Sequence, residues 1–214
     1  MVTKNYLETK KTARYFTLNT LSDQTKTILI VIHGYAQTAA HIIENFVSVS
    51  EDCFVLAPEG LNRFYSRGFG GTPTANWMTS LERETEIADY IYYFDQLYTH
   101  LNLNNFTAAK VIVLGFSQGV STSSRWVQAT SHKIDGFILI AGEIAIEMQQ
   151  HLPDKIKVLP KAFFIGNNDN LFTAEKVEMM KELLGKKTLF EMFAGKHEIN
   201  EHCLKLVVKT IHSL

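Results

Sequence analysis

Nowhere in these 214 residues do about eighteen apolar residues follow one another, the length of helix needed to cross the hydrocarbon of a bilayer. The opening MVTKNYLETKKT has no apolar h-region followed by a small-residue cleavage site, so neither an exported nor a membrane-inserted chain is expected. Cysteine is scarce. Cys53 lies in a strand-like run and Cys203 in a final helix-like segment, which gives neither a metal-ligand spacing nor a disulfide framework. Two reduced, partly buried thiols and a cytoplasmic location are the expectation. Charge of one sign is also lacking, because 21 Lys and Arg stand against 22 Asp and Glu; no field is available to gather nucleic acid or an anionic membrane, and nucleic acid is not an expected partner. There is no low-complexity segment and no abrupt shift in composition. Residues 1–214 are therefore read as a single domain, large enough to bury one substantial core. The hydrophobic fraction of 46% and charged fraction of 20% are those of an ordinary folded chain.

What the sequence has is a recurrent alternation. Short runs rich in β-branched and aromatic residues, Ala13 to Leu18, Thr27 to Ile32, Cys53 to Ala57, Lys110 to Leu114, Asp135 to Ile140, Lys161 to Ile165 and Thr188 to Phe193, read as strands. Several are continuously apolar, as central parallel strands covered on both faces must be. Only Asn19 to Lys26 separates the first two runs, too little chain for a crossover helix, and this predicts an antiparallel hairpin at one edge. Between Leu81 and Leu103, the spacing of Ile87, Ile91, Phe94, Tyr98 and Leu101 stripes one face of a helix. Similar patterns over Ala40 to Val49, Ala174 to Leu184 and Glu201 to Ile211 complete a strand-then-helix order, which predicts a three-layer α/β domain. Pro58 to Ser80 fits neither period, and an unassigned stretch of that length in a compact domain is usually functional.

The segment richest in chemistry is Lys110-Val111-Ile112-Val113-Leu114-Gly115-Phe116-Ser117-Gln118-Gly119-Val120. Here G-x-S-x-G follows a buried strand and opens a helix-like stretch, the setting in which that motif makes a sharp turn and pushes its serine out at the carboxyl end of the sheet. A plainer reading leaves Ser117 as a helix N-cap. A serine hydroxyl is a poor nucleophile until a base takes its proton, so the chemical reading requires a histidine and an acid to orient it. On a sheet of this kind both follow the nucleophile, the acid first, each on a loop after a later strand. Asp169, in Gly166-Asn167-Asn168-Asp169-Asn170, and His197, in Ala194-Gly195-Lys196-His197, occupy those places. Asp169 could instead be a turn former or a helix cap, Glu143 is the reserve acid, and His197 could be a solvated loop residue. Donors for a developing oxyanion are sought in the backbone N–H of Gln118 and of Tyr35, with Ala36 as the alternative to Tyr35. Gly34 lets that loop approach closely, and His33 is read as a residue that ties the loop down by hydrogen bonds.

With these motifs in that order, the chain resembles the phospholipase/carboxylesterase family of α/β-hydrolases, which includes acyl-protein thioesterases. The likeness is carried by strand-His33-Gly34-Tyr35, by Gly115-Phe116-Ser117-Gln118-Gly119, by the Asp169 turn and by the His197 loop. It implies a three-layer α/β-hydrolase fold, with a mostly parallel sheet of about seven strands, an antiparallel edge strand and no large cap domain. It implies a serine hydrolase acting on small-molecule esters or thioesters through an acyl-enzyme on Ser117, with Asp169 and His197 completing the triad and no metal or organic cofactor. Trp77 resembles the tryptophan such enzymes carry near the acyl pocket, and Tyr35, Phe64, Tyr65, Phe116 and Phe172 are the other expected pocket walls; ordinary core packing is the competing role for these aromatics. Val120 after the motif, Leu171-Phe172-Thr173 after the aspartate and Lys196 before the histidine depart from the family pattern and bear on substrate class. A non-catalytic binding protein on the same fold, and an amidase or peptidase with the same triad, are the alternatives.

Overall fold

Seven of the apolar runs become strands of one sheet. In chain order the strands are β1 (Tyr15–Leu18), β2 (Thr27–Ile32), β3 (Cys53–Pro58), β4 (Asn62–Tyr65), β5 (Pro73–Asn76), β6 (Lys110–Phe116), β7 (Gly136–Ile140), β8 (Lys161–Gly166) and β9 (Leu189–Phe193). The helices are α1 (Ala39–Glu44), α2 (Arg83–His100), α3 (Gln118–Ala129), α4 (Asp154–Val158), α5 (Ala174–Leu184) and α6 (Glu201–Ser213). The computed structural model describes residues 1–214. The large sheet runs β1-β3-β2-β6-β7-β8-β9, with β1 antiparallel and all other neighbours parallel. It is the mostly parallel, seven-stranded sheet with one antiparallel edge that was expected, and no large cap domain lies over it.

Why the central strands are apolar throughout is visible in the two cores they separate. Ile28, Ile30, Ile32, Val111, Val113, Phe163 and Ile165 face a cluster completed by α2, α3, α4 and α5. Their neighbours Leu29, Val31, Ile112, Leu114, Ala162 and Phe164 face a second cluster, closed by α1 and α6. Successive residues of a strand point to opposite faces, so a strand covered by helices on both sides must be apolar at every position.

Three expectations need correction or refinement. β1 pairs with β3, not with β2: Tyr15 lies opposite Pro58 and Leu18 opposite Val55. β2, fully apolar, has both edges taken by the parallel strands β3 and β6, whereas the half-exposed β1 tolerates an edge. The linker after β1, turned at Ser22 to Thr25, need only step over one intervening strand, about 10 Å at the usual strand spacing. The stripe of α2 is also rotated: Tyr90, Phe94, Leu97 and Tyr98 are its buried residues, with Ile87, Ile91 and Leu101 flanking them. Within Pro58 to Ser80 the chain forms the antiparallel hairpin β4–β5, with Asn62 opposite Asn76. It is tied to the loop after β2 by Ala75 N–H donating to Gln37 O at 2.9 Å.

The tightest contact in this frame is between α3 and β2. A Cβ built on Gly119 would stand 2.1 Å from Ile32 O and 2.8 Å from His33 O, both backbone atoms. By contrast, a Cβ on Gly136 would meet side chains alone, the tip of Leu214 at 3.0 Å and Ile112 Cγ1 at 3.5 Å. We therefore expect Gly119→Ala to destabilise the protein by about 2–3 kcal/mol through overpacking, and Gly136→Ala to cost much less, both read by urea unfolding. Equal stability of the two variants would contradict the placement of α3 against β2.

Candidate active site

All the parallel strands point their carboxyl ends to one edge, and the polar residues singled out in the sequence collect there. Ser117 follows β6 directly, with φ 53° and ψ −120°. A non-glycine residue held at positive φ costs on the order of 1–3 kcal/mol. That conformation is fixed by its surroundings: Ser117 N–H donates to Ile140 O of β7, and Ser117 O accepts from Val120 N–H, both at 2.9 Å. Ser117 stands at the start of α3, yet its hydroxyl makes no capping hydrogen bond, so the N-cap reading is set aside. The hydroxyl faces His197 instead, with Oγ 2.8 Å from Nε2.

The other face of the imidazole meets Asp169, whose Oδ2 is 2.8 Å from His197 Nδ1. Its side chain is fully buried. A carboxylate accepts hydrogen bonds, so Nδ1 carries the proton and Nε2 is left as the acceptor for the Ser117 hydroxyl. Asp169 is also the turn former of the competing reading, since its Oδ1 accepts from Leu171 N–H at 2.9 Å. The cap of α5 is Thr173, not Asp169. Two loops are stitched together to hold this geometry: Asn168 N–H donates to Gly195 O at 2.9 Å, and Gly195 N–H donates to Asn167 Oδ1 at 3.2 Å. The Phe116 ring backs the imidazole, with centroids 5.0 Å apart. Glu143, the reserve acid, is engaged elsewhere, accepting from Lys176 Nζ at 2.5 Å and from Gln149 Nε2 at 3.4 Å.

The loop after β2 passes directly over the serine. A Cβ on Gly34 would be 3.1 Å from Ser117 Cβ. Neither Tyr35 N–H, nor Ala36 N–H, nor Gln118 N–H donates to any group of the chain, so these amides are unspent beside Ser117. His33 holds the loop from below. It is completely buried; its Nε2 accepts from Gly60 N–H at 2.9 Å and its Nδ1 donates to Gly34 O at 2.7 Å. Burial pushes the pKa of this imidazole down to about 4, consistent with a neutral ring whose two nitrogens are both used.

The aromatic residues divide. Phe172 lines the cavity of about 450 Å³ that opens beside Ser117. Trp77 does not: it is 1% exposed, donates Nε1–H to His33 O at 2.8 Å, and packs on His33, Tyr90 and Phe94. Phe116 is buried behind His197. Tyr35 and Phe64 pack on each other, centroids 5.4 Å apart, and with the exposed Tyr65 they stand outside the cavity. For these five the pocket-wall expectation is corrected, because an indole N–H or a large ring finds its contacts in the core or on the β4–β5 hairpin. Sequence reasoning passed over Ser121, Arg125, Arg83 and Gln149, which do line the cavity. Gln118, Ser121 and Arg125 follow each other at one-turn spacing on α3, so the helical period starting from Ser117 could have found two of them.

No protein-family model matches the chain, and no curated protein matches it in sequence. Solved structures do match in shape. Acyl-protein thioesterase 2 of Zea mays superposes with a TM-score of 0.73 at 14% identity, covering 94% of this chain and 99% of that one. Esterase PE8 gives a TM-score of 0.70 at 17% identity, over 94% and 98% of the two chains. A phospholipase/carboxylesterase from Dyadobacter fermentans gives 0.65 at 18%, over 96% and 99%. The fold is the α/β-hydrolase fold. In that α/β-hydrolase frame Ser117, Asp169 and His197 lie after β6, β8 and β9, and Tyr35 follows β2.

The buried His33 yields a pH test. Its folded pKa of about 4 lies below the ordinary 6.5, so the unfolded chain binds a proton that the folded chain refuses, and stability is lost as pH falls from about 6.5 toward 4. Between pH 6.5 and 5, before carboxylates titrate, this amounts to about 1.5 kcal/mol. Denaturant unfolding at the two pH values should show that loss in the wild type and most of it missing in His33→Asn; equal slopes would exclude a neutral, buried His33.

Proposed function

We propose that this chain is a serine hydrolase that cleaves carboxylic esters or thioesters, working as one domain in the cytoplasm. The observation that carries the reading is the continuous chain of two 2.8 Å contacts from Ser117 Oγ through His197 to Asp169. These residues are brought together from three separate loops. As Ser117 Oγ attacks the substrate carbonyl carbon, its proton passes to His197 Nε2, and buried Asp169 stabilises the imidazolium and holds its orientation. The negative charge that develops on the carbonyl oxygen is met by the unspent N–H groups of Gln118 and Tyr35. Collapse breaks the bond to the leaving oxygen or sulfur, and His197 hands its proton to the departing alcohol or thiol and is neutral again. Water then attacks the acyl-enzyme by the same route and releases the acid and the serine. Esters and thioesters are favoured over amides because their leaving groups need less help from a proton. The fold of the structures that match, two of them an acyl-protein thioesterase and an esterase, supports this reading. The two free cysteines, buried and with thiol pKa values pushed up to about 12 by that burial, suit a reducing compartment.

A fluorophosphonate probe tests the reading. Wild-type protein should label covalently; Ser117→Ala should not, although it folds to the same melting temperature. Asp169→Asn should lower kcat on an activated ester by about 10³–10⁴-fold, as expected when the imidazole loses its orienting carboxylate. Folded wild-type protein that neither labels nor turns over short esters would leave a non-catalytic binding role on this fold in its place.

A further inference from the structure

The cavity beside Ser117 is not a lipid slot. Six of its fifteen lining residues are hydrophobic, and the wall farther along α3 carries two arginines. Arg125 sits on α3 with its side chain only 6% exposed, and Arg83 opens α2; both line the cavity. Two carboxylates hold them: Glu147, which Arg125 grips through Nε at 2.5 Å and Nη2 at 3.0 Å and Arg83 through Nη2 at 2.7 Å, and Glu84, which pairs with Arg83 Nη1. Neither Glu147 nor Glu84 lines the cavity, and their side chains are 43% and 81% exposed. The cavity is thus lined by the two guanidinium groups and not by the two carboxylates that pair with them. Each guanidinium carries five N–H donors; Arg83 commits two, to Glu84 and Glu147, whereas Arg125 commits Nε and Nη2 to Glu147 and turns Nη1 to Tyr90 Oη at 3.4 Å and Met78 Sδ at 3.6 Å, so the donors left for a ligand are mostly those of Arg83. The single carboxylate in the wall, Glu143, is neutralised by Lys176 and further engaged by Gln149. A long alkyl chain laid here would strip water from the guanidinium groups and give nothing in exchange; a carboxylate would gain charge-assisted, bidentate contacts.

We propose that Arg83 and Arg125 form an anion-reading subsite, so that the preferred substrate is an ester bearing a free carboxylate at a fixed distance from the scissile carbonyl. From Ser117 to Arg125 the axis of α3 advances roughly 12 Å, at about 1.5 Å per residue, and helix side chains lean back toward the N-terminus. The anion thus sits within that distance of the reacting carbonyl, the span of a short dicarboxylic half-ester. The proposal rests on the hydrolase reading for which bond is cut, but the subsite itself is a matter of binding.

The test has a turnover arm and a binding arm. Monomethyl adipate is compared with dimethyl adipate, acetoxyhexanoate with its methyl ester, and each with a twin ending in an ammonium group. In at least one series the anionic member should show a kcat/KM about tenfold above its neutral twin, the range of one hydrogen bond to a charged group, and the ratio should fall to near one in Arg83→Gln. Arg83 is chosen because it lies at the start of α2, where replacement leaves the buried Arg125–Glu147 pair intact. In the binding arm, Ser117→Ala is melted with the same compounds: the anionic member should raise Tm more than the neutral one, and adding Arg83→Gln should remove the difference. Equal responses to anionic and neutral members, or a preference for the ammonium twin, overturn the subsite. Failure to turn over any ester while the anionic Tm shift persists overturns the hydrolase reading and leaves the subsite standing.

Discussion

The contact on which the site depends is between the first turn of α3 and the carbonyl end of β2. Gly119 lies so close to Ile32 O and His33 O that no side chain fits there, and on the preceding limb Gly115 faces Ser123 Oγ and Gly119 O with equally little room. These two approaches make the turn between β6 and α3 sharp, and a sharp turn is what holds Ser117 at a positive φ with its hydroxyl directed away from the sheet. The strain at Ser117 is thus sustained by packing between two of the most buried elements, β2 and β6, which share six paired positions. The same contact places the loop that carries Tyr35, which leaves β2 immediately after the atoms that Gly119 touches.

Histidine serves two opposite purposes in this frame. His33 is buried, with each ring nitrogen committed to a backbone group, and Trp77 closes it off by packing a tilted ring against it, centroids 4.7 Å apart, and donating to its carbonyl. It is a structural bolt that brings Gly60, at the end of β3, onto the loop after β2. His197 sits between an acceptor that is buried and a hydroxyl that opens onto the cavity, so one of its nitrogens is fixed and the other is free to exchange a proton with whatever occupies the site. Burial on both sides would have made it a second bolt.

Much of the frame was legible because it rests on periodicity and on short-range turn chemistry. Short apolar runs located the seven sheet strands, and for the central ones burial on both faces leaves no other composition. Ser117, Asp169 and His197 were legible because each follows a strand, and parallel strands bring their carboxyl ends to one edge. What depended on lateral order was not. The exchange of β1 from β2 to β3 leaves no trace in local composition; it follows from which strand can tolerate a solvent edge. The β4–β5 hairpin escaped because strands of four residues, NRFY and PTAN, show too little alternation to read. Trp77 was misplaced for a third reason: an aromatic near a motif says nothing of which way its ring turns, and here the indole N–H is drawn inward by His33 O.

The arginines of the cavity wall pose a different problem, one of energetics. Moving a guanidinium and a carboxylate out of water costs several kcal/mol each, and their mutual attraction commonly does no more than offset it. Arg125, at 6% side-chain exposure, could be replaced by an apolar residue of similar volume with little or no loss of stability on that general ground. Folding alone therefore gives no account of a buried cation at this position, still less of a second arginine sharing the same carboxylate. What an apolar pair could not do is present guanidinium N–H donors to the cavity, three of which on Arg83 have no carboxylate partner. Glu147, its pKa held down to about 2 chiefly by the Arg125 hydrogen bonds, stays charged across the ordinary pH range and holds both guanidinium groups. The arrangement is that of a preorganised receptor: the cost of orienting the donors is met when the chain folds, and an incoming anion has only its own water to lose.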